Sequence, residues 1–451
     1  MDLNGSENFQ LWRYWEDNFL DGKLEKIETE IDNAPGRGRV EWLTNDEFKN
    51  HYPLVSGNGT GSVLAFSSTR ANGKDNKVYT IDLSVEGWNP TLVSMSRWIV
   101  DLKNPNNEPH EQLLPGIDNN AGFAIRDAQF SQVKGSTEIL VALDAYGDFV
   151  SVVICNLSSG VIRHITTPNP SLSPIHPIPW DVKLAAVTAH FAVLLANADG
   201  WCEIYRYGLL DSKVEKITME DHETDMVGPV RPVLQGQEDN RVVIEHNSSH
   251  VAFSISLLDL SQPGQLKLEP ILACQSASPG FRTQDPILIR FESFDGLSIP
   301  ALVYYPANMP PTGKMPAVIW IHGGLAMQIR PGFRRPVLYL LDQTNGFTIN
   351  ELGCALIMPK VRGRAGYGRS YVKLDDVYKR EDSVKDLGSL LEYISTSMPK
   401  IDATRIALNG ASYGGFMVLA GLVNYSHLLR CGVVQSGIGN WVTFLETTHP
   451  S

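Results

Sequence analysis

The sequence predicts a mixed fold in two parts: an N-terminal β-propeller-like domain, then an incomplete domain in which strands alternate with helices. Three observations predict it. Segments 62–83, 137–157, 191–210 and 240–260 repeat one hairpin grammar, an apolar strand, a polar turn and an alternating strand with a Leu-containing tail. Their starts lie 75, 54 and 49 residues apart, and the two shorter spacings suit a four-stranded blade. A Ser-, Pro- and Gly-rich stretch at 275–286 then reads as a linker, and beyond it the periodicity changes to that of a largely parallel α/β sheet.

Taken in order, segment 14–29 resembles the closing half of another blade, and 97–130 a degenerate blade that fills the longest spacing. An all-β sandwich with similar hairpins is the alternative. The expected division is a lead and partial blade over 1–48, the propeller-like domain over 49–283 and the second domain over 284–451. In that last domain, strands are expected at 287–294, 299–305, 316–321, 353–358, 405–408 and 431–435. The clearest helix begins near Asp382, where Val384, Leu387, Leu390, Leu391, Ile394 and Met398 form one apolar stripe.

A length of 451 residues favours two domains. The net charge of −12 argues against a nucleic-acid or anionic-membrane partner, since either would be repelled. The start, Met1 to Gly5, has neither the basic residues nor the apolar stretch of a signal peptide. No apolar run of about 18 residues suggests a membrane span. Cys155, Cys202, Cys274, Cys354 and Cys431 form no metal-spaced pair, so reduced thiols and a cytoplasmic location are expected. Sequons at Asn58, Asn156 and Asn247 then read as chance matches. Without a metal, nucleotide or flavin signature, no cofactor is expected.

Gly410-Ala411-Ser412-Tyr413-Gly414 is short, but its context makes it informative. The strand-like run Arg405–Leu408 precedes it and the apolar, helix-forming run Phe416–Leu422 follows it. That is the nucleophile elbow of an α/β-hydrolase, where small residues are needed because backbone segments pass closely. Gly410 and Gly414 supply that clearance. The Tyr413 N–H, at the helix N-terminus, would face an oxyanion.

A second piece, Trp320-Ile321-His322-Gly323-Gly324, directly follows a strand. A His-Gly-Gly loop here supplies the other oxyanion donor through a glycine N–H. His322 precedes the nucleophile in the chain, so it reads as a loop anchor and not as the base. A third piece, 361–368, has the glycines of a phosphate cradle but lacks the Lys-Ser/Thr of a P-loop, and reads as a structural loop beside the site.

These pieces, in this order, resemble the prolyl oligopeptidase family of serine peptidases. The resemblance is close over 287–451, through IRFESFDGLSIPALVYYP, WIHGG, PKVRGRAGYG, KREDSVKDL and NGASYGGFMVLAGL, and looser upstream. Within the family the chain looks nearest the acylaminoacyl-peptidase and dipeptidyl-aminopeptidase-like members. The resemblance implies a propeller that admits short peptides and excludes folded proteins. It implies Ser412 as nucleophile, with Tyr413 N–H and the His322-Gly323-Gly324 loop at the oxyanion. Three departures stand out: Leu325 where many members carry Pro, no Glu-Glu pair for an amine clamp, and no matching acid and His after the nucleophile.

A hydrolase triad runs Ser, then Asp or Glu, then His. Thirty-nine residues follow Ser412, and they hold Glu446, His427 and His449. None is expected at a strand end facing Ser412. The expected function is therefore a serine hydrolase acting by acyl transfer on short peptides or acylated amino acids, impaired by the missing Asp and His. A non-catalytic peptide- or partner-binding protein, and an esterase-like hydrolase of a small metabolite, are the alternatives. The open sheet edge near 431–435 is expected to attract self-association or a complementing chain.

Overall fold

A computed structural model describes residues 125–447 apart from 134–135, 137, 157–158, 168–177, 218–225, 233–239, 248–253, 262–267, 274–284, 307–312, 325 and 333–352. Ahead of residue 125 it describes eight short strands. The chain falls into two compact units, 1–113 with 448–451 and 114–447.

In the first unit, β1 (Trp12–Tyr14) pairs with β2 (Val40–Trp42). Strands β3 (Asn50–Val55), β4 (Val63–Ser68), β5 (Lys77–Asp82) and β6 (Thr91–Ser94) form a four-stranded antiparallel meander. β7 (Trp98–Ile99) pairs with β8 (His110–Glu111).

The second unit opens with three more meanders. The first is β9 (Ile125–Phe130), β10 (Glu138–Leu143), β11 (Ser151–Asn156) and β12 (Ile162–His164). The second is β13 (Val182–Val187), β14 (Phe191–Ala198), β15 (Trp201–Gly208) and β16 (Val214–Ile217). The third is β17 (Met226–Pro232), β18 (Arg241–Asn247), β19 (Ser254–Asp259) and β20 (Glu269–Ala273).

Each of the four expected hairpins is thus the central pair of a four-stranded sheet. β10 and β11 are buried along almost their whole length, on both faces. One core joins Leu140, Ala142, Val152 and Ile154 to Val182, Leu184 and Leu194 of the next sheet. Another joins Val193 and Leu195 to Val242, Ile244 and Leu258 of the one after. The first strands stand side by side, β13 touching both β9 and β17.

The reading of 97–130 as one degenerate blade is corrected. Residues 98–99 and 110–111 pair together, but 125–130 is the first strand of the following meander, because its register with β10 carries it there. Of segment 14–29 only Tyr14 is in a described strand; the rest, and most of the 275–286 linker, lie outside the described residues.

From Ile287 onward a six-stranded sheet is ordered β21-β22-β24-β23-β25-β26. Its strands are β21 (Ile287–Glu292), β22 (Ser298–Tyr304), β23 (Met315–Ile321), β24 (Ala355–Pro359), β25 (Ile401–Ala411) and β26 (Cys431–Gln435). β21 and β22 form an antiparallel hairpin, and β22 joins β24 antiparallel. β24, β23, β25 and β26 run parallel. Helices α1 (Gly368–Val372), α2 (Asp382–Ser397), α3 (Tyr413–Tyr425) and α4 (Trp441–Thr447) complete it. The predicted stripe on α2 is buried: Val384, Leu387, Leu390, Leu391, Ile394 and Met398 share one core with β23 and β25. No helix among the described residues is long and apolar enough to cross a membrane.

The β14–β15 turn is pinned to this sheet. Asp199 and Gly200 both have positive φ, 54° and 101°, which suits a two-residue hairpin turn. Arg290 on β21 donates to both carboxylate oxygens of Asp199, at 2.5 and 2.7 Å. Arg330 donates to the Gly200 carbonyl at 2.8 Å. Lys360, fully buried at the end of β24, donates to the Asp199 carbonyl at 2.5 Å, near the rings of Trp201 and Tyr367.

Burial pushes the Lys360 ammonium down from 10.5 to about 7; Asp199 opposes this, while Arg330 and Arg290 add to it. Unfolded, Lys360 holds its proton up to about 10.5. Between about 7 and 10.5 the unfolded chain therefore binds more protons, and stability should rise with pH by at most ~1.4 kcal/mol per unit. Below about 7 the full penalty is present. Lys360→Met should flatten that rise in urea unfolding at pH 7 and 9. An unchanged slope in the variant would contradict the assignment.

Candidate active site

Ser412 is the hinge between β25 and α3. It is exposed, with φ 56° and ψ −119°, a conformation that non-glycine residues rarely hold. Its own N–H is tied to the Gln435 carbonyl of β26 at 3.0 Å, and its carbonyl accepts from Phe416 N at 3.1 Å. The strand before and the helix after therefore hold the strained residue from both sides.

The two elbow glycines are required by close backbone approach. A Cβ at Gly414 would lie 2.0 Å from the Ile321 carbonyl oxygen, and one at Gly410 would lie 2.4 Å from the Gly414 carbonyl oxygen. The first contact means that the end of β23, where the His-Gly-Gly loop begins, passes directly over the start of α3.

That loop reaches the serine. A Cβ at Gly323 would stand 2.9 Å from the Ala411 carbonyl oxygen and 3.3 Å from Ser412 Cβ. His322, largely buried, has its Nδ1 2.9 Å from the Gly323 carbonyl. A carbonyl only accepts, so Nδ1 carries the proton. This bond fixes the 323–324 peptide plane, whose opposite end is the Gly324 N–H. Gly324 has φ 81°, which glycine adopts freely, and Met327 folds over it.

Tyr413 is buried beneath the site. Its hydroxyl donates to Asp375 at 3.1 Å and shares a hydrogen bond with Ser383 at 2.9 Å. Burial pushes its pKa up. Arg380 bonds Asp375 at 2.5 Å and lies over the Tyr413 and Trp441 rings. Trp441 of α4 packs edge-on against Phe416 and Tyr413. Neither Asp375 nor Trp441 stands in a local pattern that sequence reading can find, and Arg380 lies in the KREDSVKDL segment, which did not reveal its place beneath the site.

The 361–368 loop is anchored at its start. Arg362 makes paired hydrogen bonds to Asp295 and bonds both oxygens of Asp386, whose carboxylate also accepts from Ser293 Oγ at 2.5 Å. Two residues on, Arg364 is fully buried, donates to the Gly324 carbonyl, and lies 4.2 Å over the Tyr413 ring. The loop is thus a prop for the oxyanion segment.

No base joins this arrangement among the described residues, where no side chain hydrogen-bonds Ser412 Oγ. His427 is exposed beyond the far end of α3, roughly 20 Å along the helix from Ser412. Glu446 is exposed on α4. His449 and Leu325 lie outside the described residues.

A cavity of about 760 Å³ lies between the meanders and the loops around 326–330 and 365–373. Asp144, Asp148, Asp181, Arg126, Lys183 and Arg369 are among the charged residues on its walls.

Comparison with known proteins agrees with the resemblance read from the motifs. Residues 341–450 match the prolyl oligopeptidase family. Mouse and human dipeptidyl peptidase 8 are each 25% identical over 174 residues, 39% of this chain and 19% of theirs. The uncharacterized peptidase YuxL of Bacillus subtilis is 26% identical over 162 residues, 35% of this chain and 23% of its own. Among solved structures, a puromycin hydrolase superposes with TM-score 0.63 at 16% identity, covering 90% of this chain and 55% of that one. Prolyl oligopeptidase B from Galerina marginata, bound to a hydrolysis and macrocyclization substrate, gives TM-score 0.63 at 16% identity over 89% of this chain and 50% of its own. The chain therefore spans about half the length of these structures, and the match to the curated relatives spans about a fifth of theirs.

Proposed function

We propose that this chain carries the nucleophile and oxyanion half of a serine peptidase that acts by acyl transfer on short peptides or acylated amino acids. Ser412 is the nucleophile, and the N–H groups of Tyr413 and of Gly323 or Gly324 take the oxyanion. The observation that carries this reading is the approach of Gly323 to Ser412 Cβ at a strained, exposed strand–helix turn. The four-stranded antiparallel form of each meander supports propeller-like blades ahead of the hydrolase sheet in the chain. The unbridged thiols of Cys155 and Cys431 support a reducing, cytoplasmic setting.

The acid and the base come, in this reading, from polypeptide beyond these 451 residues, on the same chain or on a partner. Its seat is the uncovered face of β26, α3 and α4, where Val433, Val434, Leu419, Val423, Val442 and Leu445 are exposed. β26 is also an open sheet edge, able to accept another strand. The lack of a base among the described residues favours a second reading, a peptide-binding protein without turnover.

The test is labelling of the purified chain with a fluorophosphonate, beside Ser412→Ala. Slow labelling confined to Ser412 is expected, since oxyanion donors and binding retain some rate acceleration without the rest of the triad. Equal labelling of the Ala variant would remove Ser412 from the mechanism.

A further inference from the structure

Arg364 is a charged side chain with no exposure at all, set between glycines in a loop. Burying a guanidinium is costly unless its surroundings compensate. Here the partners are specific. Its Nη1 donates to the Gly324 carbonyl, forty positions earlier in the chain. Its guanidinium carbon lies 4.2 Å over the centre of the Tyr413 ring, which is the geometry of a cation–π contact. One side chain therefore touches both segments that present oxyanion donors to Ser412.

We propose that Arg364 is the positioning residue of the oxyanion site, setting the Gly324 peptide and the first residue of α3 in one fixed relation. This rests on the assignment of Ser412 and its donors above. His322 fixes the 323–324 peptide plane through the Gly323 carbonyl, and Arg364 fixes the next plane through the Gly324 carbonyl. Between them both torsions of Gly324 are determined, although its positive φ leaves glycine intrinsically free there. On the other side, Tyr413 is held by the Arg364 stack above the ring and by Asp375 and Ser383 at its hydroxyl. Arg362, with Asp295 and Asp386, keeps the base of the loop still, so Arg364 projects from a rigid support.

A planar, delocalised cation suits both tasks; a lysine offers a donor to the carbonyl but cannot stack flat on the ring. An oxyanion donor acts only when it stands about 2.7–3.1 Å from the developing charge, so a displaced donor loses much of its effect. Arg364 touches no reacting atom, and its contribution is entirely geometric.

Two readouts on the full 451-residue chain test this. The first is the Ser412-dependent fluorophosphonate reaction, resolved into a maximal rate and a half-saturating concentration. Arg364→Met should lower the maximal rate roughly ten- to a hundredfold, less than or equal to the loss of a whole donor, with half-saturation unchanged. Arg364→Lys should recover part of the rate. The second is backbone hydrogen exchange. Arg364→Met should speed exchange in 322–327 and 411–414 together, while α2 and β23 keep their protection. Unchanged exchange in both segments would overturn the proposal, and so would exchange that rises over the whole sheet, which marks a general loss of stability. If wild type shows no Ser412-dependent labelling, that counts against the catalytic assignment, and the exchange measurement still decides the role of Arg364.

Discussion

Purified alone, the 451-residue chain should turn over neither an aminoacyl ester nor a short peptide at neutral pH. Ser412 is exposed and strained, but its hydroxyl stays protonated without a base to take the proton. His322 is committed to the Gly323 carbonyl, and His427 stands at the wrong end of α3. Loss of triad members costs about 10⁴–10⁶ in rate. The expected kcat/KM is thus at least ~10⁴-fold below that of a protein completed by polypeptide carrying the acid and base. Val433→Lys should block such completion, because a charge on the open edge of β26 repels an added strand. Val433 is about half exposed, so the variant should keep its stability. Neutral-pH turnover by the chain alone that vanishes in Ser412→Ala would show that a base has been overlooked.

Gly414→Ala should be the most damaging single-methyl change near the site. In a helix, Ala is normally preferred to Gly by about 1 kcal/mol. Here the added carbon would meet the Ile321 carbonyl oxygen at 2.0 Å, and a backbone atom cannot swing aside. Overpacking of that kind costs about 1–3 kcal/mol or more, so the clash outweighs the propensity. Relief can come only by moving β23 from α3, which also moves Gly323 away from Ser412. Urea unfolding should show the loss of stability, and fluorophosphonate labelling should fall with it. Gly439→Ala is the control, because nothing lies within 4 Å of the added carbon and neither property should change. A Gly414→Ala protein as stable and reactive as wild type would mean that the elbow is not packed against the loop as described.

The parts of this fold that local sequence encodes were legible. Apolar pairs around polar turns marked the central hairpin of each meander, and six strand positions of the later sheet fell where the apolar runs lie. The outer strands were not legible, because Ile162–His164 and Val214–Ile217 are too short to show a period. β25 begins at Ile401, earlier than the buried run at Arg405–Leu408 signals, since Asp402, Ala403 and Thr404 carry no strand pattern. Ser412, Gly410, Gly414 and the His322-Gly323-Gly324 loop could be named as candidates because their chemistry lies in consecutive residues. Arg364 and Asp375 could not. Their contacts are made across forty and thirty-eight positions of chain, and no spacing rule reports such a distance.

The most direct measurement of the central claim is a crystal structure of the phosphonylated chain. The account predicts a covalent bond from Ser412 Oγ to phosphorus. One phosphoryl oxygen should lie roughly 2.7–3.1 Å from Tyr413 N and from the N of Gly323 or Gly324. An adduct on Ser412 whose phosphoryl oxygen points to solvent, with neither backbone N–H in reach, would contradict it.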